Sequence, residues 1–299
     1  MKIRNAKLFL SLCLAAVAVP VSASNYEREL PWWQFFLPGG GQFYLGETAK
    51  GVAYAGGVLG LSGWAVAASY KHEPGAINAP LVYAQQLYVI SLYDTYRALQ
   101  LKYGADKYNK RFDRSSVSEL VSAPFRKEQL LNPWVIGCAV AGAGLNYALV
   151  RGASGRRSFA DMRGMRYLGG SYNRDTGAAV YSAYWVPLSL GAGVSEEMLF
   201  RGMLQAGFED RWGSGRGLVG ASLLFGAAHM SDPNNPDVWA NVAFASVAGM
   251  FFGWRYQKND YRLSEVIASH FWFDVMAGAA LFLTNPKENP LGAKMDFAF

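Results

Sequence analysis

Long stretches free of charge alternate along this chain with short stretches crowded with Lys and Arg. Residues 51–70, 133–150, 178–195, 217–230, 238–253 and 266–284 hold no Lys, Arg or Glu, and Asp274 is their single Asp. In lipid no water satisfies backbone N–H and C=O groups, so only helices and closed barrels cross it. A crossing helix takes about 20 apolar residues. The pattern predicts an all-α, polytopic membrane helical bundle with about six hydrophobic segments. Segments 217–230 and 238–253 are short for a full crossing, which is tolerated where broken helices line a buried cavity. Residues 294–299 (KMDFAF) alternate and end in Phe, as the last strand of an outer-membrane barrel does. Nothing else in the chain repeats the alternation that a barrel needs.

Composition narrows the choice further. Of 299 residues, 17% are charged and 52% hydrophobic, against about 25% charged in an average soluble domain. That excludes a disordered chain, a collagen and a coiled coil. The net charge is +6, but half of the excess is Lys2, Arg4 and Lys7, in a stretch without acids. The rest is spread over loops, so no basic stripe marks a nucleic-acid partner. Cys13 and Cys138 form no CxxC pair, which leaves neither a zinc knuckle nor a redox couple.

Residues 1–7 (MKIRNAK) form a basic region, 8–21 an apolar one, and Val21-Ser22-Ala23 a small-residue cleavage site. Residues 1–23 therefore read as a secretory signal peptide, with an uncleaved signal anchor as the alternative. No Cys stands directly after the apolar region, which excludes a lipoprotein, and the expected location is a bacterial inner membrane, multi-pass. The aromatics of 32–36 suit the membrane interface. The PGGGQFYLG stretch at 38–46 forces a turn. Gly56 and Gly60 in the next run permit close helix packing, and 81–101, amphipathic, completes a hairpin that carries Tyr93-Asp94-Thr95-Tyr96-Arg97. These two motifs resemble an uncharacterised family of small bacterial membrane proteins with a PGxGQxY signature, a resemblance that implies no chemistry. Residues 24–101 thus form an N-terminal interfacial segment and hairpin, 102–130 a basic loop, and 131–299 a C-terminal domain. A second basic loop at 151–176 lies on the other side of the 133–150 run, so both loops obey the positive-inside rule only if that run does not cross.

The ionisable groups within the last four apolar runs are few. Run 178–195 ends abruptly in Glu196-Glu197-Met198-Leu199-Phe200-Arg201, run 217–230 holds His229, and run 266–284 holds His270 and Asp274. A polar group at membrane depth costs about 2.5–3.5 kcal/mol on insertion scales, and its default reading is functional. Glu197 and Arg201 are four apart and share a helix face, as do Phe225 and His229, and His270 and Asp274. Three helices thus offer carboxylates and imidazoles to one interior. A Glu in a dry pocket serves as general base to a water, and imidazoles orient that water or donate to an oxyanion. This set suits peptide-bond hydrolysis without a covalent intermediate. The Glu bonded to Arg201 is better placed to fix the helix.

EEMLFR at 196–201, FGAAH at 225–229 and HFWFD at 270–274 resemble, in order and spacing, the three motifs of the CPBP family. These are type II CAAX prenyl endopeptidases and bacteriocin-processing or self-immunity proteins, and the likeness covers residues 178–285. The resemblance implies a helical intramembrane glutamate endopeptidase whose hydrolysis needs no cofactor and no bound metal. It implies that Glu196 and His229 activate the water and that His270 and Asp274 form the oxyanion site, with Glu197, Arg201 and Phe225 supporting. The family's third motif often ends in Asn, which donates a hydrogen bond, whereas Asp274 donates only when protonated. Asp274 could instead orient His270 or bind a cation. The partners implied are a membrane-associated or secreted peptide or protein substrate and the bilayer.

Other chemistries fit less well. Glu, two His and Asp are zinc-ligand types, but there is no HExxH and the groups come from three helices. Gly152-Ala153-Ser154-Gly155 resembles a rhomboid nucleophile motif, yet Arg156-Arg157 follow it in a polar loop. The non-enzyme alternative is a membrane scaffold or immunity factor on the same fold, its polar cluster locking the bundle. That alternative predicts that packing at Gly249 and Gly253 matters more than the charge of Glu196.

Overall fold

Helix takes most of the described residues, as uncharged runs of this length favour. In the computed structural model the described residues are 37–70, 74–103, 111–150, 157–167, 170–230, 235, 237–286 and 296–298. The expected signal peptide at 1–23, the aromatic run at 32–36 and Ser154 lie outside them. The helices are α1 (Gly40–Tyr44), α2 (Thr48–Ser69), α3 (Pro74–Tyr103), α4 (Val117–Ser122), α5 (Lys127–Leu130) and α6 (Pro133–Val150). There follow α7 (Arg174–Glu197), α8 (Ala206–Trp212), α9 (Ser214–Ala228), α10 (Asp237–Lys258) and α11 (Leu263–Thr284). Among the described residues α2 and α11 are long and apolar enough to cross a membrane. Only 17% of the apolar window of α2 is buried, and Val52, Leu59, Trp64 and Val66 all point outward. An apolar helix so exposed suits lipid rather than water.

The all-α expectation needs one amendment. Strands β1 (Gly164–Tyr167), β2 (Gly170–Asn173) and β3 (Asp296–Ala298) form a small antiparallel sheet in the order β2-β1-β3. Gly164 stands opposite Asn173 on one side and Ala298 on the other. The alternating tail is therefore a strand added to a hairpin, and its period-2 pattern has a local cause.

The chain divides into two compact units, one of residues 1–56, 87–120 and 194–266, the other of 57–86, 121–193 and 267–299. In the first, the Pro-Gly turn does what its sequence demands. Gly39 adopts φ 76° and packs against the Gly51 carbonyl, where no Cβ fits. Gln42, fully buried, donates to the Ser91 carbonyl (2.9 Å) and to Asp94 Oδ2 (3.5 Å), and accepts from Ser91 Oγ (3.1 Å). Asp94 also takes Lys50 (3.6 Å) and the Tyr54 hydroxyl (3.5 Å). The two N-terminal motifs are thus halves of one polar clamp, which seats α1 on α3. Elsewhere in this unit, Asp113 accepts the Leu263 N–H at the start of α11 (2.6 Å), one of the amides a helix leaves without an internal partner.

A second polar staple holds the turn between α10 and α11. Asp260 and Tyr261 both adopt left-handed φ, at 51° and 58°, a strained conformation for side chains without glycine's freedom. The Tyr261 hydroxyl donates to buried Glu209 (3.0 Å), and Gln205 and Gln257 donate to its other oxygen (2.7 and 2.8 Å). Arg111 donates to the Tyr261 oxygen (2.8 Å) and pairs with Glu209 (3.2 Å) and Asp210 (2.9 Å). Burial and the Glu209 carboxylate push the Tyr261 phenol above its ordinary value, against the pull of Arg111.

The second unit is built on aromatic packing. Tyr181 stacks on Trp185 and on Phe282, with ring centroids 5.9 and 4.2 Å away, and Tyr167 of β1 tilts against Tyr184 at 5.4 Å. Met162, Met165 and Leu188 complete the buried cluster. The Trp185 indole donates to the Asp274 carbonyl (2.9 Å) and the Tyr181 hydroxyl to the Gly278 carbonyl (3.2 Å). These bonds fasten α7 to α11.

Candidate active site

The helix carrying the first motif changes its winding at that motif. α7 ends at Glu197, residues Met198–Gln205 continue as a π segment, and α8 resumes the α form. Every residue of the π segment is buried. Such segments are rare, widen the helix and concentrate at functional sites. Glu196 and Glu197 stand at its start and Arg201 within it.

Glu197 and Arg201 face inward together. Their Oε2 and Nε atoms are 3.1 Å apart, with side chains 0% and 2% exposed. Arg201 Nη2 donates to the Gly249 carbonyl of α10 (3.2 Å), and the guanidinium lies over the rings of Phe225 (4.5 Å) and Phe252 (5.6 Å). A desolvated cation needs a paired anion and further acceptors. The carboxylate, the carbonyl and two ring faces supply them. The shared helix face expected from the four-residue spacing is present, and the pair ties the π segment to α9 and α10.

Glu196 points elsewhere. Its side chain is 27% exposed, and its Oε2 lies 3.9 Å from Nε2 of His229, whose side chain is 39% exposed. His229 is the C-terminal cap of α9. Its Nδ1 sits 2.8 Å from the Phe225 carbonyl, one of the last-turn carbonyls that a helix leaves unsatisfied. A carbonyl only accepts, so Nδ1 carries the proton. In the neutral ring Nε2 is then a bare lone pair facing the Glu196 carboxylate. The Phe225 ring also packs on the imidazole (centroids 4.7 Å) and meets Phe200 edge-on (5.0 Å). Phe225 therefore holds His229 twice, by its carbonyl and by its ring.

The third motif lies in the second unit. His270 Nε2 is 3.5 Å from Asp274 Oδ2, with side chains 7% and 28% exposed. The Asp274 backbone is the acceptor of the Trp185 indole. Gly193 lets the α7 backbone close on α11, since a Cβ there would stand 3.1 Å from the Ile267 carbonyl oxygen and the Phe271 amide. Among the described residues no three His, Cys, Asp or Glu side chains gather in a group able to hold a metal ion.

The four-residue spacings thus bring Glu197 to Arg201, Phe225 to His229 and His270 to Asp274, while the fold adds Glu196 to His229 and Arg201 to Phe225. Sequence reasoning missed Phe252, the carbonyl of Gly249 and the indole of Trp185. All three lie in runs without charge, where side-chain type announces nothing about hydrogen bonding by the backbone.

Residues 178–276, about a third of the chain, match the family model described as type II CAAX prenyl endopeptidase Rce1-like. The family so described is one of membrane-embedded peptidases, which are hydrolases. No curated protein and no solved structure matches the chain.

Proposed function

We propose that this chain is an intramembrane endopeptidase of the glutamate type, cutting a peptide bond of a membrane-associated or secreted peptide. The observation that carries the reading is the facing pair of acceptors, Glu196 Oε2 and His229 Nε2, 3.9 Å apart. That separation exceeds a direct hydrogen bond. It suits a water that donates one proton to each. Glu196 takes a proton as the water oxygen attacks the scissile carbonyl carbon, and His229 steers the second hydrogen. In this reading His270 and Asp274 donate to the tetrahedral oxyanion. The proton on Glu196 then passes to the leaving amine, which restores the carboxylate. Glu197, Arg201 and Phe225 keep the first pair in place. The enzyme acts as a multi-pass protein of a bacterial inner membrane, entered by way of the signal peptide at 1–23.

The test reconstitutes the full chain in phosphatidylethanolamine and phosphatidylglycerol vesicles with a peptide library that includes prenylated and plain members. Mass spectrometry reads the products. The proposal expects new termini with the wild type and none with Glu196→Gln. Identical products from both, or none from either, would overturn it in favour of a scaffold.

A further inference from the structure

Helix α10 carries no ionisable group between Val238 and Gly253, and none of the three motifs falls on it. Yet it touches the Glu196–His229 arrangement from both sides at a single residue. The carbonyl of Gly249 accepts Arg201 Nη2, and Arg201 is the partner of the residue next to Glu196. The Cα face of Gly249 lies against α9 at the turn that ends in His229. A Cβ there would stand 3.2 Å from Ser222 Cα and 3.3 Å from Cδ1 of Phe225. Both contacts are tighter than most Cβ atoms make, so a neighbour must give by a few tenths of an ångström.

The ring of Phe225 is the neighbour that can. It is held by the Arg201 guanidinium on one contact, by Phe200 on another and by the His229 imidazole on a third. The Ser222 Cα belongs to the α9 backbone, which is itself fixed where Gly226 packs against Ser246 and the Val242 carbonyl. A push on the ring is therefore passed to the imidazole, whose tautomer depends on the carbonyl of the same residue.

We propose that Gly249 is a positioning residue for His229, acting through Phe225 and Arg201. It fixes the separation and tautomer of the pair without touching substrate. The inference rests on the proposed function only for its catalytic consequence, since its structural content concerns one imidazole.

The chain has three histidines, His72, His229 and His270, so ring-labelled ¹⁵N-histidine in the full chain in lipid nanodiscs gives few signals. The His229 signal is assigned by its loss in His229→Gln. The wild type shows the Nδ1–H tautomer at His229. Gly249→Ala converts it to a mixture of tautomers and, in the cleavage assay, lowers kcat about tenfold with KM unchanged, because sub-ångström misplacement costs rate rather than binding. Gly253→Ala, whose Cβ would press on Leu218 and Gln205 instead, leaves the His229 signal unaltered. If Gly249→Ala does not fold, Phe252→Leu removes one ring from the Arg201 guanidinium and must give the same tautomer shift. An unchanged His229 signal in the folded variant overturns the inference. A chain that cuts no peptide but shows the tautomer shift overturns the peptidase reading alone.

Discussion

The ring nitrogen Nδ1 of His229 donates to the carbonyl of Phe225, four residues earlier, over 2.8 Å. A helix end thereby acquires a cap, and an imidazole acquires a fixed tautomer. The same bond leaves Nε2 facing Glu196 at 3.9 Å. One consequence is that Glu196 should matter more to activity than to stability. Its side chain is part-exposed and lies outside the 3.1 Å Glu197–Arg201 contact, so Glu196→Gln keeps the shape of the site and removes the proposed base. General-base catalysis contributes about 10²–10⁴-fold. The cleavage rate in vesicles should fall by at least about 100-fold, with the thermal midpoint in detergent unchanged.

Glu197 and Arg201 should behave in the opposite way. Removing one member of a buried pair leaves a charge without compensation and costs about 3–5 kcal/mol. Arg201→Met should therefore lower the thermal midpoint steeply. The double variant Glu197→Gln/Arg201→Met should recover part of that loss, because no buried charge is left over. Denaturation of the single and double variants in one detergent checks the sign of the difference, and additive losses would show that the two side chains are not coupled.

How much of this was legible in the sequence depended on whether side chains or backbone made the contact. The i, i+4 spacings announced Glu197 with Arg201 and His270 with Asp274, because a helix puts such residues on one face. Glu196 with His229 was inferred from motif order, since no local spacing links α7 to α9. The π segment at Met198–Gln205 gave no sign, since its residues read as ordinary helix formers. The small sheet is hidden in the sequence because β1 and β2 are four residues each, and the alternation of the tail does not by itself name a partner strand. Gln42 and Asp94 stand in separate motifs along the chain, and only the fold bonds them to each other.

The family resemblance gives Asp274 the oxyanion role, in a motif that often ends in Asn. Asp274→Asn keeps the size of the side chain and supplies an amide donor, so the variant should stay active. The cleavage rate of wild type and variant in the same vesicles is the measurement. An inactive variant would assign Asp274 to orienting His270, 3.5 Å away, as an acceptor.

Gly278 faces the indole of Trp185, and a Cβ there would overlap the ring. The indole cannot retreat without breaking its bond to the Asp274 carbonyl and its stack on Tyr181. Overpacking of this kind costs about 1–3 kcal/mol. Gly278→Ala should lower the thermal midpoint, and Trp185→Phe in the same chain should restore part of it by making room, at the loss of one hydrogen bond worth about 1 kcal/mol.

The Tyr261 staple makes the turn between α10 and α11 sensitive to alkali. Burial and the Glu209 carboxylate hold the phenol above its ordinary value in the folded chain. An unfolded Tyr titrates near about 10. Folding then binds the proton more tightly than the unfolded chain does. The stabilisation is complete below the unfolded value and is lost as pH rises from there through the folded one. Deprotonation would also set a phenolate beside Glu209, 3.0 Å from its oxygen, with Arg111 to offset part of the repulsion. Tyr261→Phe removes the titrating group and keeps the ring against Tyr256 (centroids 5.3 Å). Thermal midpoints measured from pH 8 to pH 11 should fall more steeply above about 10 for the wild type than for Tyr261→Phe. Parallel curves would show that the staple contributes nothing to the alkaline limit.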